Sequence, residues 1–354
     1  MRVTMKDLAE KLGVSRSAVS LAIRNDPRIS QDLRDRVNAL AKEVGYERDP
    51  ALGILATHRK AVPVKRPWSC LAFVTESRPV SKREKAFKKR LDEIDKTAQT
   101  LGYNVDRFYL SDYSNLDHLW QVIISRGIPG VIFGQLSPGH SWEKMSWDHF
   151  SAVQLNWGYD RLPMHMVASD AYNYGELFVG KLVTAGARRI GFATFVPKNH
   201  PYPEYVMPLG ERLTVAGLRE SVISENRFRE KDKIEFVETC AIHNGFDGQE
   251  KFISWIKQNR IDGVVGLNDV FYMMLKDAGI RMPDEVQLAL INTNHIDPEN
   301  GIAGLVNGQA RVAKRAVEFL DELIRLRVRG VPEERVTVAV SRRFVEGATL
   351  RKTR

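Results

Sequence analysis

The sequence predicts an α + α/β chain: a small helical headpiece followed by a larger body in which strands alternate with helices. Three observations lead there. Within the first sixty residues, short apolar-periodic runs are each opened by a Ser or Thr and closed by Gly or Asn-Asp-Pro. From Trp68 onward, short apolar runs alternate with amphipathic stretches, the pattern of parallel sheets covered by helices. The charge divides the chain at the same place. Residues 1–60 carry 12 Lys/Arg against 8 Asp/Glu, residues 61–100 carry 10 against 5, and residues 101–354 are balanced at 31 each. The net +9 therefore resides wholly in the front, as expected of a nucleic-acid-binding head on a neutral regulatory or catalytic body.

In the headpiece, Thr4 precedes an apolar-periodic stretch from Met5 to Leu12, and Asp7 stands three residues on, a capping box with Asp in the Glu position. Gly13 ends this helix. Val14-Ser15 opens a second, Arg16 to Arg24, which buries Ala18, Val19, Ala22 and Ile23 and stops at Asn25-Asp26-Pro27. Ser30 caps a third, running to Val44, before Gly45. A turn of about three residues makes the first two helices cross steeply, as in a helix-turn-helix. The second helix then presents Arg16, Ser17, Ser20 and Leu21 outward, near the end that meets base edges in a major groove. A generic three-helix bundle is the competing reading, and the surplus positive charge favours DNA.

Asp49-Pro50 reads as an N-cap followed by proline at the first helical position. The short helix it opens, Ala51 to Ala56, contains Gly53 and is below the length that is stable alone in water. It is expected to fold on DNA. Ala61 to Pro67 reads as a linker.

In the body, strands are predicted at 69–75, 104–109, 130–133, 152–155, 189–195, 263–267 and 287–291. Helices are predicted at 82–101, 116–126, 173–185, 211–225, 248–259, 270–278 and 312–326. About 280 residues exceed one comfortable core, so two lobes are expected, with a ligand cleft beyond the carboxyl ends of the strands.

The run Val3-Thr4-Met5-Lys6-Asp7-Leu8-Ala9, then Gly13-Val14-Ser15, Val19-Ser20 and Gly45-Tyr46, resembles the headpiece of lactose-repressor-type (LacI/GalR) regulators. The likeness continues in Gly186-Ala187-Arg188-Arg189-Ile190-Gly191, Asn268-Asp269 and Gly279-Ile280-Arg281-Met282-Pro283, which implies a two-lobed periplasmic-binding-protein-like body. The implied organisation is a headpiece over 1–48, a hinge helix and linker over 49–66, and a ligand-binding and dimerisation domain over 67–354. Its first lobe is expected at 67–195 plus 294–325, its second at 196–293 plus 326–347.

By the same resemblance, Arg16, Ser17 and Leu21 take base-reading positions, while Thr4, Ser15, Ser20 and Asn25 belong to the DNA-contacting set, chiefly through phosphates. Leu21 departs from the polar residue usual there and meets only apolar edges. Leu55, with Leu52, falls where the family inserts a leucine wedge into the minor groove. The alternative is that both leucines dock on the next domain.

For the cleft, the resemblance implies Trp157 stacking on a ring and Asp170 accepting from hydroxyls or an amine. Asn268, Asp269, Arg212, Thr214 and Asn292 complete the expected contacts. Thr214 and Asn292 depart from the family's effector-binding arginine and aspartate, and a core Trp and a helix-capping Asp are the competing readings for the first two.

The expectation is a sequence-specific transcription regulator, a repressor, binding a pseudo-palindromic operator as a homodimer under control of a small molecule, a sugar by preference. A ligand-independent regulator and a solute-binding protein of the same fold are the alternatives. The N-terminus turns polar at once, which predicts no secretory signal and a cytoplasmic chain. No membrane span is expected. Two cysteines, Cys70 and Cys240, are read as buried thiols rather than a disulfide or zinc site. No G-x-G-x-x-G, P-loop, G-x-S-x-G or H-E-x-x-H occurs, so no enzyme, cofactor or metal is expected.

Overall fold

In the computed structural model, the described residues are 5–23, 29–44, 70–78, 84–134, 136, 140, 142, 145–158, 162–196, 207–242, 246–294, 297 and 299–352. The chain divides into two units, Met1–Val64 and Lys65–Arg354.

The first unit is built of α1 (Met5–Leu12), α2 (Arg16–Ala22) and α3 (Gln31–Glu43). Leu8, Ala9, Val19, Ala22 and Val37, one or two from each helix, form its buried centre. Gly13 takes a left-handed φ of +65°, which lets the chain leave α1 and turn at once into α2. Helix α2 ends at Ala22 rather than Arg24, with Ile23 as its C-cap. Thr4 and the whole segment 45–69, including the expected hinge helix, lie outside the described residues.

The second unit carries two six-stranded sheets. The first, in spatial order β11-β5-β4-β3-β1-β2, contains β1 (Cys70–Thr75), β2 (Asn104–Tyr109), β3 (Gly130–Phe133), β4 (Ser151–Leu155), β5 (His165–Ser169) and β11 (Thr337–Val340), paired in parallel throughout. The second, in order β12-β10-β9-β8-β6-β7, contains β6 (Arg189–Phe195), β7 (Glu235–Ile242), β8 (Gly263–Asn268), β9 (Gln287–Thr293), β10 (Gly304–Val306) and the antiparallel edge β12 (Phe344–Val345). The helices are α4 (Glu84–Thr100), α5 (Leu116–Ser125), α6 (Ala171–Thr184), α7 (Leu209–Asn226), α8 (Phe246–Asn259), α9 (Asp269–Asp277) and α10 (Gln309–Leu326).

Central strands β3, β4 and β5 are buried along their whole length because both their faces are covered. Against the first sheet, α10 lays Val312, Ala316, Val317 and Leu320 on one face, and an aromatic group of Trp120, Phe133, Trp142 and Trp147 fills the other. The second sheet is covered by α6 and α7 on one side and by Phe252, Trp255 and Phe271 on the other. Cys240 is buried in that second layer, whereas Cys70, at the start of β1, is only half-buried.

The expected lobe boundaries need correction. Strand β6 and helix α6 belong with the second sheet, not the first; so does β10, while β11 belongs with the first. The chain passes between the sheets after Ser169, after Val306 and after Val340. The boundary moved because β5 was not expected. His165 interrupts its apolar pattern, yet is buried, with Nδ1 accepting the Val336 amide at 3.1 Å. Burial also lowers its pKa, favouring the neutral ring that this acceptor role needs.

Among the described residues no helix is long and apolar enough to cross a membrane, and no group of three or more His, Cys, Asp or Glu is placed to hold a metal.

Candidate functional site

In the headpiece, Ser15 adopts extended backbone angles and its Oγ accepts the Ala18 amide at 3.1 Å, capping α2. A serine hydroxyl in that role still has its own proton to donate. Arg16, Ser17 and Ser20 follow on α2, and Leu21 is half-buried beside the core residue Ala22. Asn25, Leu52 and Leu55 lie outside the described residues.

In the body, the three crossings converge on the carboxyl ends of the strands. Ser169 pairs with Val340, so the first and third crossings leave the first sheet side by side. Val306 pairs with Thr293, so the second crossing starts where β9 ends. Most of the predicted cleft residues gather here. Trp157, just past β4, donates from Nε1 to the Ser169 carbonyl at 2.6 Å. Its indole lies against Gly210, where an added Cβ would sit 3.0 Å from the ring. Asp170, the first crossing residue, accepts from Asn173 Nδ2 at 3.0 Å and faces Ser341 Oγ at 3.4 Å. Asn268 and Asn292 are register partners at the ends of β8 and β9. Asn268 also caps α9, its Oδ1 accepting the Val270 amide at 3.1 Å, and Asp269 is the first residue of that helix.

Thr214 does not join them, which corrects its expected ligand role. It is buried, and its Oγ1 lies 3.0 Å from both the Ala171 and Gly210 carbonyl oxygens, where α6 and α7 pack together. Arg212 is exposed on α7 and has no ion pair among the described residues.

Two residues that sequence reasoning missed do belong to this region. Glu211, in the first turn of α7, is hydrogen-bonded by Thr194 near the end of β6. Burial pushes its carboxyl up to about 7, although the Thr194 hydrogen bond works in the opposite direction. Arg342, in the third crossing, donates from Nη1 to Asn292 Oδ1 at 2.7 Å and from Nε to the Tyr174 hydroxyl at 3.2 Å. Its guanidinium lies 4.8 Å from the centre of the Tyr174 ring. Burial lowers its pKa, and Tyr174 partly opposes that. The only hint in the sequence was that Asn292 stands where an aspartate was expected.

Residues 4–49 match the family model described as bacterial regulatory proteins, lacI family. An HTH-type transcriptional regulator of Mycobacterium tuberculosis is 31% identical over 151 residues, 38% of this chain and 42% of that protein. The match therefore spans less than half of the relative's length. In fold, a lac repressor dimer bound to operator and the anti-inducer ONPF aligns with a TM-score of 0.59 at 17% identity, covering 99% of this chain and 100% of that one. The transcriptional regulator CelR in complex with cellobiose aligns with a TM-score of 0.59 at 15% identity, covering 98% and 100%. Residues 4–49 are thus similar to the lacI family of bacterial regulatory proteins, and the body shares the fold of those solved structures.

Proposed function

We propose that the chain is a sequence-specific DNA-binding transcription regulator, a repressor acting as a homodimer on a pseudo-palindromic operator. The observation that carries this reading is the headpiece, whose Ser15-capped α2 follows α1 across the left-handed Gly13. In this reading Arg16, Ser17 and Leu21 meet base edges, and Thr4, Ser15, Ser20 and Asn25 hold the backbone. Leu52 and Leu55 enter the minor groove and kink the duplex. A small molecule, a sugar in the first instance, binds in the cleft where the three crossings meet, near Trp157, Asp170, Asn268 and Asn292. Binding there shifts the population competent for DNA.

The test is operator selection from a randomised DNA pool, followed by comparison of wild type with Leu55→Ala. Specific binding is expected to weaken by at least tenfold and nonspecific binding to change by less than twofold. Equal losses in both would refute the wedge, and failure to select any sequence would refute the regulator reading.

A further inference from the structure

We propose that the ligand of the interlobe cleft is a polyhydroxy carboxylate, a sugar acid, whose carboxylate is received by Arg342. The proposal rests on the reading of that cleft as the effector site and assigns its chemical class.

Arg342 is built into position. It stands two residues past the end of β11, and its stem crosses Gly308 in the second crossing, where an added Cβ would come within 2.4 Å of the arginine Cδ. Its guanidinium is fixed by Asn292 Oδ1, the Tyr174 hydroxyl and the Tyr174 ring face, all of them neutral. Among the described residues it has no carboxylate partner. The carboxylate of Asp170 lies nearby in the chain fold but is engaged with Asn173 and Ser341. An asparagine at 292 holds the guanidinium without cancelling its charge, as an aspartate would. Arg342 is half-buried; a partly desolvated cation held only by neutral groups is costly, and that cost is recovered when a planar anion pairs with it. Nη2 has no hydrogen bond to any described residue, so its two N–H groups remain for the incoming oxygen atoms.

The far side of the site limits the ligand to one charge. Thr194 and Asn292 sit at the ends of β6 and β9, two strands apart with β8 between them, about 10 Å across the sheet. Beyond Thr194 lies Glu211, whose carboxyl can partner ligand hydroxyls in either protonation state but supplies no positive charge for a second anionic group. Trp157 borders the same helix end. A phosphate dianion would bring a second charge, and among the described residues no cation besides Arg342 bonds to Asn292, Tyr174 or Glu211. One carboxylate and a run of hydroxyls fit both ends.

Thermal unfolding of the full chain would be followed with 10 mM D-gluconate, D-glucuronate or D-galacturonate, with D-glucose or D-galactose, and with glucose 6-phosphate. Calorimetric titration would then give the Kd of any hit. At least one sugar acid is expected to raise the unfolding midpoint while its neutral parent does not. Arg342→Gln is expected to weaken its binding by tenfold or more. Asn292→Asp retains Arg342 and supplies an internal counter-charge, so it should weaken the acid by a similar factor while unfolding no earlier than wild type. Binding of a neutral sugar alone overturns the sugar-acid class and leaves the effector cleft standing. Preference for the phosphate, or acid binding unchanged in Asn292→Asp, overturns the role of Arg342. No stabilisation by any compound overturns both readings.

Discussion

Glu211 and Thr214 lie three residues apart on α7 and have opposite fates. Thr214 turns inward and commits its hydroxyl to backbone carbonyls of α6 and its own helix. Glu211, one turn earlier, is half-buried with its carboxyl against Thr194 and raised from an ordinary 4.5 to about 7. Between those two values the folded protein keeps a proton that the unfolded chain has released. Stability from this group is therefore full below about pH 4.5 and lost as the pH rises through about 7, by at most about 3 kcal/mol. Glu211→Gln removes the ionisation. Urea unfolding at pH 5 and pH 8 is expected to show wild type and variant nearly equal at pH 5, with the variant more stable at pH 8. Equal stability at both values would mean that the carboxyl is solvated in the folded state. Trp157, Asp170, Asn268 and Asn292 were named from short local motifs that resemble a family pattern, and the structure sets them near the strand ends where the crossings meet. Sequence reading passed over Glu211 and Arg342 because their roles arise from partners 17, 50 and 168 residues away.

The same locality governs which elements were legible. Strands β1, β3, β6, β8 and β9 each centre on a mostly apolar run and match expectation to within two residues at each end. Strands β7, β11 and β12 were not expected. The first is an edge strand whose apolar run is interrupted by Glu238 and Thr239; the other two are short, lie at sheet edges, and are recognisable only through their pairing partners. Helices were easier because their period is carried within the element, and α6 and α7 show how tightly such elements are then packed. A Cβ on Gly217 would fall 2.0 Å from the Tyr172 carbonyl oxygen, and one on Gly175 would fall 2.2 Å from the Gly217 carbonyl carbon. Gly180, further along α6, has nothing within 4 Å. Gly217→Ala must push the two helices apart and is expected to destabilise by about 1–3 kcal/mol or more. Gly180→Ala gains helix propensity and should stabilise by about 0.5–1 kcal/mol. Urea unfolding of the pair checks the sign at each site. A neutral Gly217→Ala would show that the backbones need not approach this closely.

At the scale of the whole molecule, the charge distribution makes the proposed DNA binding quantitative. All of the +9 excess belongs to residues 1–100, and the remaining 254 residues carry equal numbers of acidic and basic groups. Fold and charge thus divide the work. In the proposed reading, the charge-balanced body responds to a small molecule, while the basic front meets a polyanion whose condensed counterions are released on contact. If six to ten phosphates are neutralised by the front, the observed affinity should fall by about 10³–10⁵ between 50 and 200 mM salt. Nonspecific duplex, read by fluorescence anisotropy with the full chain, isolates this term, since base contacts contribute nothing there. A log–log slope near −0.9 for each phosphate gives the contact number directly. Replacing one basic residue that touches phosphate should reduce the slope by about 1. A flat response would mean that the basic front is merely solvated surface. Glu211→Gln and Arg342→Gln alter the body alone, so both are expected to leave the slope unchanged.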